Sequence, residues 1–236
     1  MKNLIVFLSV FLFSKSFTQV VDYKFRNNDA VLDYQLVIDQ KDNMSQWRKK
    51  VDAKGDTVRG NKKTDFFVVK DNKVFANDKT LSKRIFTLDS EIMIWQKGSE
   101  TKEILGYKCK SASTNFRGRN YIAFYTEQIK TDLGPWKFRG LDGLVLYVKS
   151  VDDDYEFTAT KINNEKYQKL DMAYINEIFK NNTFQTWSDY AEVYKNDIDT
   201  FIKDESCNCS KDGGNIFKIT KIEKIYPKLH DEGVIY

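Results

Sequence analysis

From about residue 30 the apolar positions recur mostly at every second residue, the spacing of strands that bury one face. VLDYQLVID (31–39) predicts a strand, and FFVVKDNKVFAN (66–77) a hairpin closed by Asp71-Asn72. Both turn residues tolerate the positive φ that a two-residue turn requires. KRIFTLD (83–89) and EIMIWQ (91–96) predict two more strands, with Lys97-Gly98-Ser99 turning the chain after them. YKCKSASTNF (107–116) leads through a turn at Arg117-Gly118 into RNYIAFYTE (119–127). On the first of these strands Lys108 and Lys110 share a face, which points Cys109 inward with Tyr107. The second is apolar on both faces, as is GLVLYVKS (143–150), the pattern of strands covered on each side. Asp152-Asp153-Asp154 then turns the chain into YEFTATKIN (155–163).

Near residue 171 the period changes. Met172, Ile175 and Phe179 follow helical spacing, Asn181-Asn182 interrupts it, and an apolar stripe from Trp187 to Ile202 resumes it. CNCSKDGGN (207–215) reads as a loop and IFKITKIEKIY (216–226) as a last strand. The fold expected is β-rich (α+β): one curved, mostly antiparallel sheet or half-open barrel with two C-terminal helices. No repeat, linker or low-complexity tract divides residues 19–236, which predicts a single domain.

The first 18 residues carry Lys2, an apolar run from Leu4 to Phe13, and small residues before Gln19. That is the pattern of a signal peptide cleaved after Thr18, and it predicts a periplasmic or secreted protein. The run falls short of the ~20 apolar residues that span a bilayer, and no later segment supplies them. Loss of Lys2 and Lys15, with no acid lost, takes the charged residues from 38 against 34 to 36 against 34, a net charge of +2. The signs are mixed along the chain, so there is no footprint for nucleic acid. An exported chain permits disulfides. Cys109, Cys207 and Cys209 make an odd set, in which Cys109 pairs with one of the other two or stays a buried thiol.

The densest punctuation falls in GPWKFRGLDGLVLYV (134–148). Gly134-Pro135 ends an irregular segment. Trp136 and Phe138 alternate with Lys137 and Arg139 as in a short half-buried strand, and Gly140-Leu141-Asp142-Gly143 reverses the chain. The spacing of Gly140 and Gly143, with a strand after them, does not make a phosphate-binding loop. Gly106-Tyr107-x-Cys109, Gly118-Arg119-x-Tyr121, Tyr125-Thr126 and Gly134-Pro135 occur in order with GLDGLV (140–145). Over residues 104–148 this resembles the GLPGLI family of exported bacterial proteins. This chain has Asp142 and Val145 where the family has Pro and Ile, and Phe124 where a tryptophan is common. Pro-Gly favours a turn with positive φ at the glycine, and Asp142-Gly143 can make the same turn. A Pro-to-Asp exchange in the motif points to backbone geometry. The resemblance implies an exported protein and no particular reaction.

Candidate chemistry is sparse. A Cys109 nucleophile lacks a base, since the single histidine is His230. Cys207-x-Cys209 is a weak soft-metal pair with no third ligand, and Asp152-Asp153-Asp154 lacks the alternation of a calcium loop. No metal or cofactor is expected. Glu91, Glu103, Glu127 and Asp132 supply carboxylates, but no spacing selects a pair. Tyr107, Tyr121, Tyr125, Trp136 and Phe138 gather on neighbouring strands, as core or as the lining of an apolar pocket. In the pocket reading the stripe from Trp187 to Ile202 lies across the open side of the sheet. By analogy of fold only, this order is similar to periplasmic lipoprotein carriers. The leading expectation is a non-catalytic binder of a hydrophobic ligand or an envelope partner. A hydrolase with a carboxylate pair and a soft-metal carrier using Cys207 and Cys209 are the alternatives.

Overall fold

The computed structural model describes residues 18–28, 30–50, 65–163, 169–206, 216–217, 221–231 and 234–235. Residues 1–17 of the expected signal peptide, with Cys207 and Cys209, lie outside these residues. The strands are β1 (Thr18–Asn27), β2 (Ala30–Asp39), β3 (Met44–Lys49), β4 (Phe67–Lys70), β5 (Lys73–Lys79), β6 (Arg84–Asp89), β7 (Gln96–Ile104), β8 (Tyr107–Phe116), β9 (Arg119–Thr126), β10 (Leu144–Ser150), β11 (Tyr155–Asn163), β12 (Gln185–Thr186), β13 (Ile216–Phe217) and β14 (Val234–Ile235). The helices are α1 (Met172–Asn181), α2 (Trp187–Ser206) and α3 (Pro227–Asp231). Twelve strands form one open sheet in the order β12-β6-β5-β4-β3-β2-β1-β11-β10-β9-β8-β7. Among the described pairs of that sheet, β12 against β6 is the parallel one. β13 and β14 pair separately. No described helix is long and apolar enough to cross a membrane.

Tight hairpins set the register. Asp71-Asn72, Leu105-Gly106 and Arg117-Gly118 all place both turn residues at positive φ, the geometry whose twist matches that of the flanking strands. The sheet is strongly curved. Eight strands separate β6 from β8 in the sheet order, yet Asp89 at the end of β6 bonds Arg117 in the β8–β9 turn.

The period-two pattern divides the core. Val21, Leu36 and Trp47 face inward, while Val20 and Val37 face outward against Leu170 and Ile175 at α1. α2 does not lie across the concave side. It packs Tyr190, Ala191, Tyr194 and Ile198 on Ile85 at the β6 edge, beside Ile225 and Leu229. The concavity is filled by the β9–β10 connection, residues 127–143, whose Ile129, Leu133, Phe138 and Leu141 join the inner core.

Several expectations are corrected here. Residues 91–95 form no strand: they cross the opening of the sheet, with the Trp95 Nε1 donating to Arg139 O at 2.9 Å. Lys97-Gly98-Ser99 is no turn but the irregular part of β7, where the register shifts between Lys97 and Thr101. Such a bulge, on an edge strand exposed over nearly its whole length, blunts that edge against further pairing. β9 is not covered on both sides, since Ile122 is 44% exposed. Residues 221–226 are irregular where a last strand was expected.

The motif differs most. Residues 134–143 contain no strand, and both Lys137 and Arg139 are buried rather than turned to solvent. The positive φ belongs to Gly140 and not to Gly143. Gly143 is needed for close approach: a Cβ there would lie 2.1 Å from Thr126 O. At Gly134 a Cβ would lie 2.1 Å from Phe138 O. Backbone closes on backbone at both sites, and only a missing side chain permits it. Gly143→Ala is therefore expected to cost about 1–3 kcal/mol. Gly106→Ala, in open space at positive φ, should cost about 1 kcal/mol by backbone strain alone. Urea unfolding of the two variants checks the order.

Candidate functional site

Four buried charged side chains meet where the ends of the curved sheet approach one another. Asp89 closes β6, Arg117 occupies the β8–β9 turn, Lys137 comes from the filling segment, and Glu223 from the C-terminal segment after β13. Arg117 reaches Asp89 through two bonds of 2.8 Å and Glu91 at 2.9 Å, and it also bonds Glu223. Lys137 Nζ lies 2.8 Å from both Asp89 and Glu223. Trp187, the first residue of α2, completes the cluster. Its ring lies 3.4 Å from the Arg117 guanidinium carbon, and its Nε1 donates to Glu223 at 3.2 Å.

Burial would raise the pKa of Asp89, but Lys137 and Arg117 outweigh it and hold the carboxyl at about 2. Glu223 behaves alike: burial opposes the charge, Lys137 and Arg117 restore it, and its pKa falls. Lys137 is pulled down by burial and pushed further up by Glu223 and Asp89. All three are therefore ionised at neutral pH. The two anions and two cations compensate one another with the geometry a buried ion network requires.

A second clasp lies beside the first. Arg119 bonds Asp152 and Asp154, the latter at 3.0 Å, and donates to Ile222 O at 3.0 Å. Tyr121 OH also donates to Ile222 O at 3.1 Å, and Lys224 N to Arg117 O at 3.1 Å. Asp153 pairs with Arg26 and Lys149. The aspartate triad is the expected turn, but its carboxylates are held by cations. No metal-ligand cluster occurs among the described residues.

The aromatic candidates differ in burial. Tyr121, Tyr125 and Phe138 are fully buried, whereas Tyr107 and Trp136 are half-buried. Phe138 packs at 5.0 Å on Tyr121 and at 5.1 Å on Trp136 and on Phe157. Tyr125 stands opposite Lys110, and Tyr107 opposite Ile104. Tyr121, Tyr125 and Phe138 thus belong to one core, with the half-buried Tyr107 and Trp136 packed against it. Of the motif residues, Gly134, Pro135, Gly140 and Gly143 shape the filling segment, and Asp142 is an exposed partner of Lys97.

The four carboxylates named as candidates, from which no spacing selects a pair, do not converge. Glu91 binds Arg117, Glu127 binds Lys110 at 2.9 Å, Glu103 is exposed on β7, and Asp132 lies in the filling segment. The convergent pair is Asp89 and Glu223, which no spacing suggested. Of the two alternatives for Cys109, the described residues show the buried free thiol, while Cys207 and Cys209 lie outside them. Burial pushes the thiol up to about 11, leaving no thiolate for nucleophilic chemistry.

The family model for the N-glycanase peptide, N-terminal domain, matches residues 21–189. No curated protein sequence matches the chain. Two crystal forms of PNGF-II share the fold. The P21 form aligns at a TM-score of 0.53 and 20% identity over 77% of this chain and 34% of PNGF-II. The C2 form aligns at 0.50 and 20% over 78% and 33%. The chain therefore spans about a third of the length of PNGF-II. The matched region runs from β1 into the start of α2 and holds Asp89, Arg117, Lys137 and Trp187, which places the chain in the N-glycanase peptide N-terminal domain family.

Proposed function

We propose that this chain is an exported, non-catalytic binding domain whose ligand is an envelope or secreted protein partner. The observation that carries the reading is the state of Asp89 and Glu223. A hydrolytic carboxylate pair needs one acid with a raised pKa, and here both carboxyls are held down by the same two cations. The convergent acids tie segments together and leave no proton to transfer. The packing of Tyr121, Tyr125 and Phe138 favours a partner at the surface over a hydrophobic ligand enclosed by the sheet. The signal-peptide pattern and the resemblance to exported GLPGLI proteins support export. The match to an N-terminal domain, about a third of PNGF-II, supports an accessory role in which any N-glycan cleavage belongs to another unit.

Native mass spectrometry of the mature protein purified from periplasm, compared with its denatured mass, tests this reading. The expected spectrum holds the bare chain and a complex heavier by the mass of a protein. A lipid-sized adduct lost on denaturation would replace the partner by an enclosed ligand. Hydrolysis of an N-glycosylated peptide by the purified chain, abolished in Glu223→Gln, would overturn the non-catalytic reading.

A further inference from the structure

Three cations lie buried around the filling segment and its neighbouring turn, and two of them are fully compensated. Arg117 and Lys137 each hold both Asp89 and Glu223. Arg139 is different. It is 3% exposed, yet among the described residues no carboxylate lies within ion-pair distance of it. The acids that face it are Asp89, already committed to Arg117 and Lys137, and Asp132. Its Nη2 donates to Asn72 O and Glu91 O, each at 3.0 Å. Its Nε is shut off from solvent and has no hydrogen-bond partner among the described residues.

A buried cation without a counter-ion, with an N–H left over, is costly unless something completes it. The surroundings hold this guanidinium in place. Asn72 belongs to the β4–β5 turn, Glu91 to the crossing segment, and the Arg139 carbonyl is fixed by Trp95 Nε1 at 2.9 Å. The site lies one layer below the surface, since Asn72 and Glu91 are exposed and Ile92, which packs over Gly140, is 50% exposed.

The geometry points to Arg139 as the seat of a small carboxylate ligand, received between the β4–β5 turn and residues 91–95. A planar carboxylate suits the planar fork of a guanidinium and needs less room than a tetrahedral anion. The seat borders the ion cluster at Glu91 but uses none of its carboxylates and none of the aromatic candidates, so it stands or falls independently of the partner reading.

Thermal melting of the mature protein in sodium formate, inorganic phosphate and sodium chloride at equal ionic strength tests it. Formate is expected to raise Tm above chloride by about 3–6 °C per tenfold increase beyond its dissociation constant. Phosphate should match chloride. Arg139→Met should abolish the formate response without lowering Tm in chloride, because it removes an uncompensated charge. Arg139→Gln, which keeps a donor for the two carbonyls, should fold and also lose the response. Equal melting of the wild type in formate and chloride would overturn the proposal and leave the guanidinium as a cap for two carbonyls. So would a formate response that survives in both variants, or a phosphate response as large as that of formate.

Discussion

Replacing Glu223 by alanine is expected to destabilise the protein by about 3–5 kcal/mol, seen as a lower urea midpoint with little change in slope. The side chain is 8% exposed and serves Arg117, Lys137 and Trp187 together. Without it, Asp89 and the exposed Glu91 are left to two buried cations, and the 221–226 segment loses its charged anchor to the sheet. Lys137→Met is expected to cost a similar amount by leaving Asp89, Glu91 and Glu223 to one guanidinium. The double variant Lys137→Met, Glu223→Ala removes one charge of each sign, so it should be more stable than the sum of the single losses predicts. A coupling of about 1–3 kcal/mol would show that the two act as one unit. Additive losses would mean that the pair is solvated and independent.

Acid should weaken the fold through the same residues. Asp89 and Glu223 have folded pKa values below their unfolded ones, so their contribution is fully present above about pH 4.5. It is lost as the pH falls through the unfolded values toward the folded ones, near 2 for Asp89. The displacement of Asp89 from 3.8 to about 2 corresponds to roughly 2 kcal/mol. Urea unfolding between pH 5 and pH 2 should show this decline, and Asp89→Asn should flatten part of it while lowering stability at pH 7. A wild type equally stable at pH 5 and pH 2.5 would rule out the cluster as a source of stability.

Local chemistry made the sheet readable from the sequence. Asp71-Asn72 and Arg117-Gly118 announced their hairpins because positive φ at both positions suits few residues. Tyr107–Phe116 and Tyr155–Asn163 matched their expected bounds, since alternation and turn residues agreed there. The helices followed from the change of period, and Asn182 ends α1 as its sequence suggests. The motif failed for the opposite reason. Trp136-Lys137-Phe138-Arg139 alternates like a strand, but Trp136 itself takes positive φ, and the two cations turn inward to partners distant in sequence. Lys137 and Glu223 are 86 residues apart, and no periodicity links such positions. An apolar segment with two cations and three glycines was the visible sign of a chain packed into a concavity. The residues that complete the cluster emerge only once the curved sheet brings its ends together.

In the function proposed above, Asp89 and Glu223 are structural anions and not an acid–base pair. Site-resolved carboxyl-carbon NMR titration of Asp89 and Glu223 in the folded protein tests it most directly. Both are predicted to titrate below their ordinary carboxylate values, Asp89 near 2. A midpoint near 6 or 7 for either would mark a general acid in a catalytic pair and contradict the account.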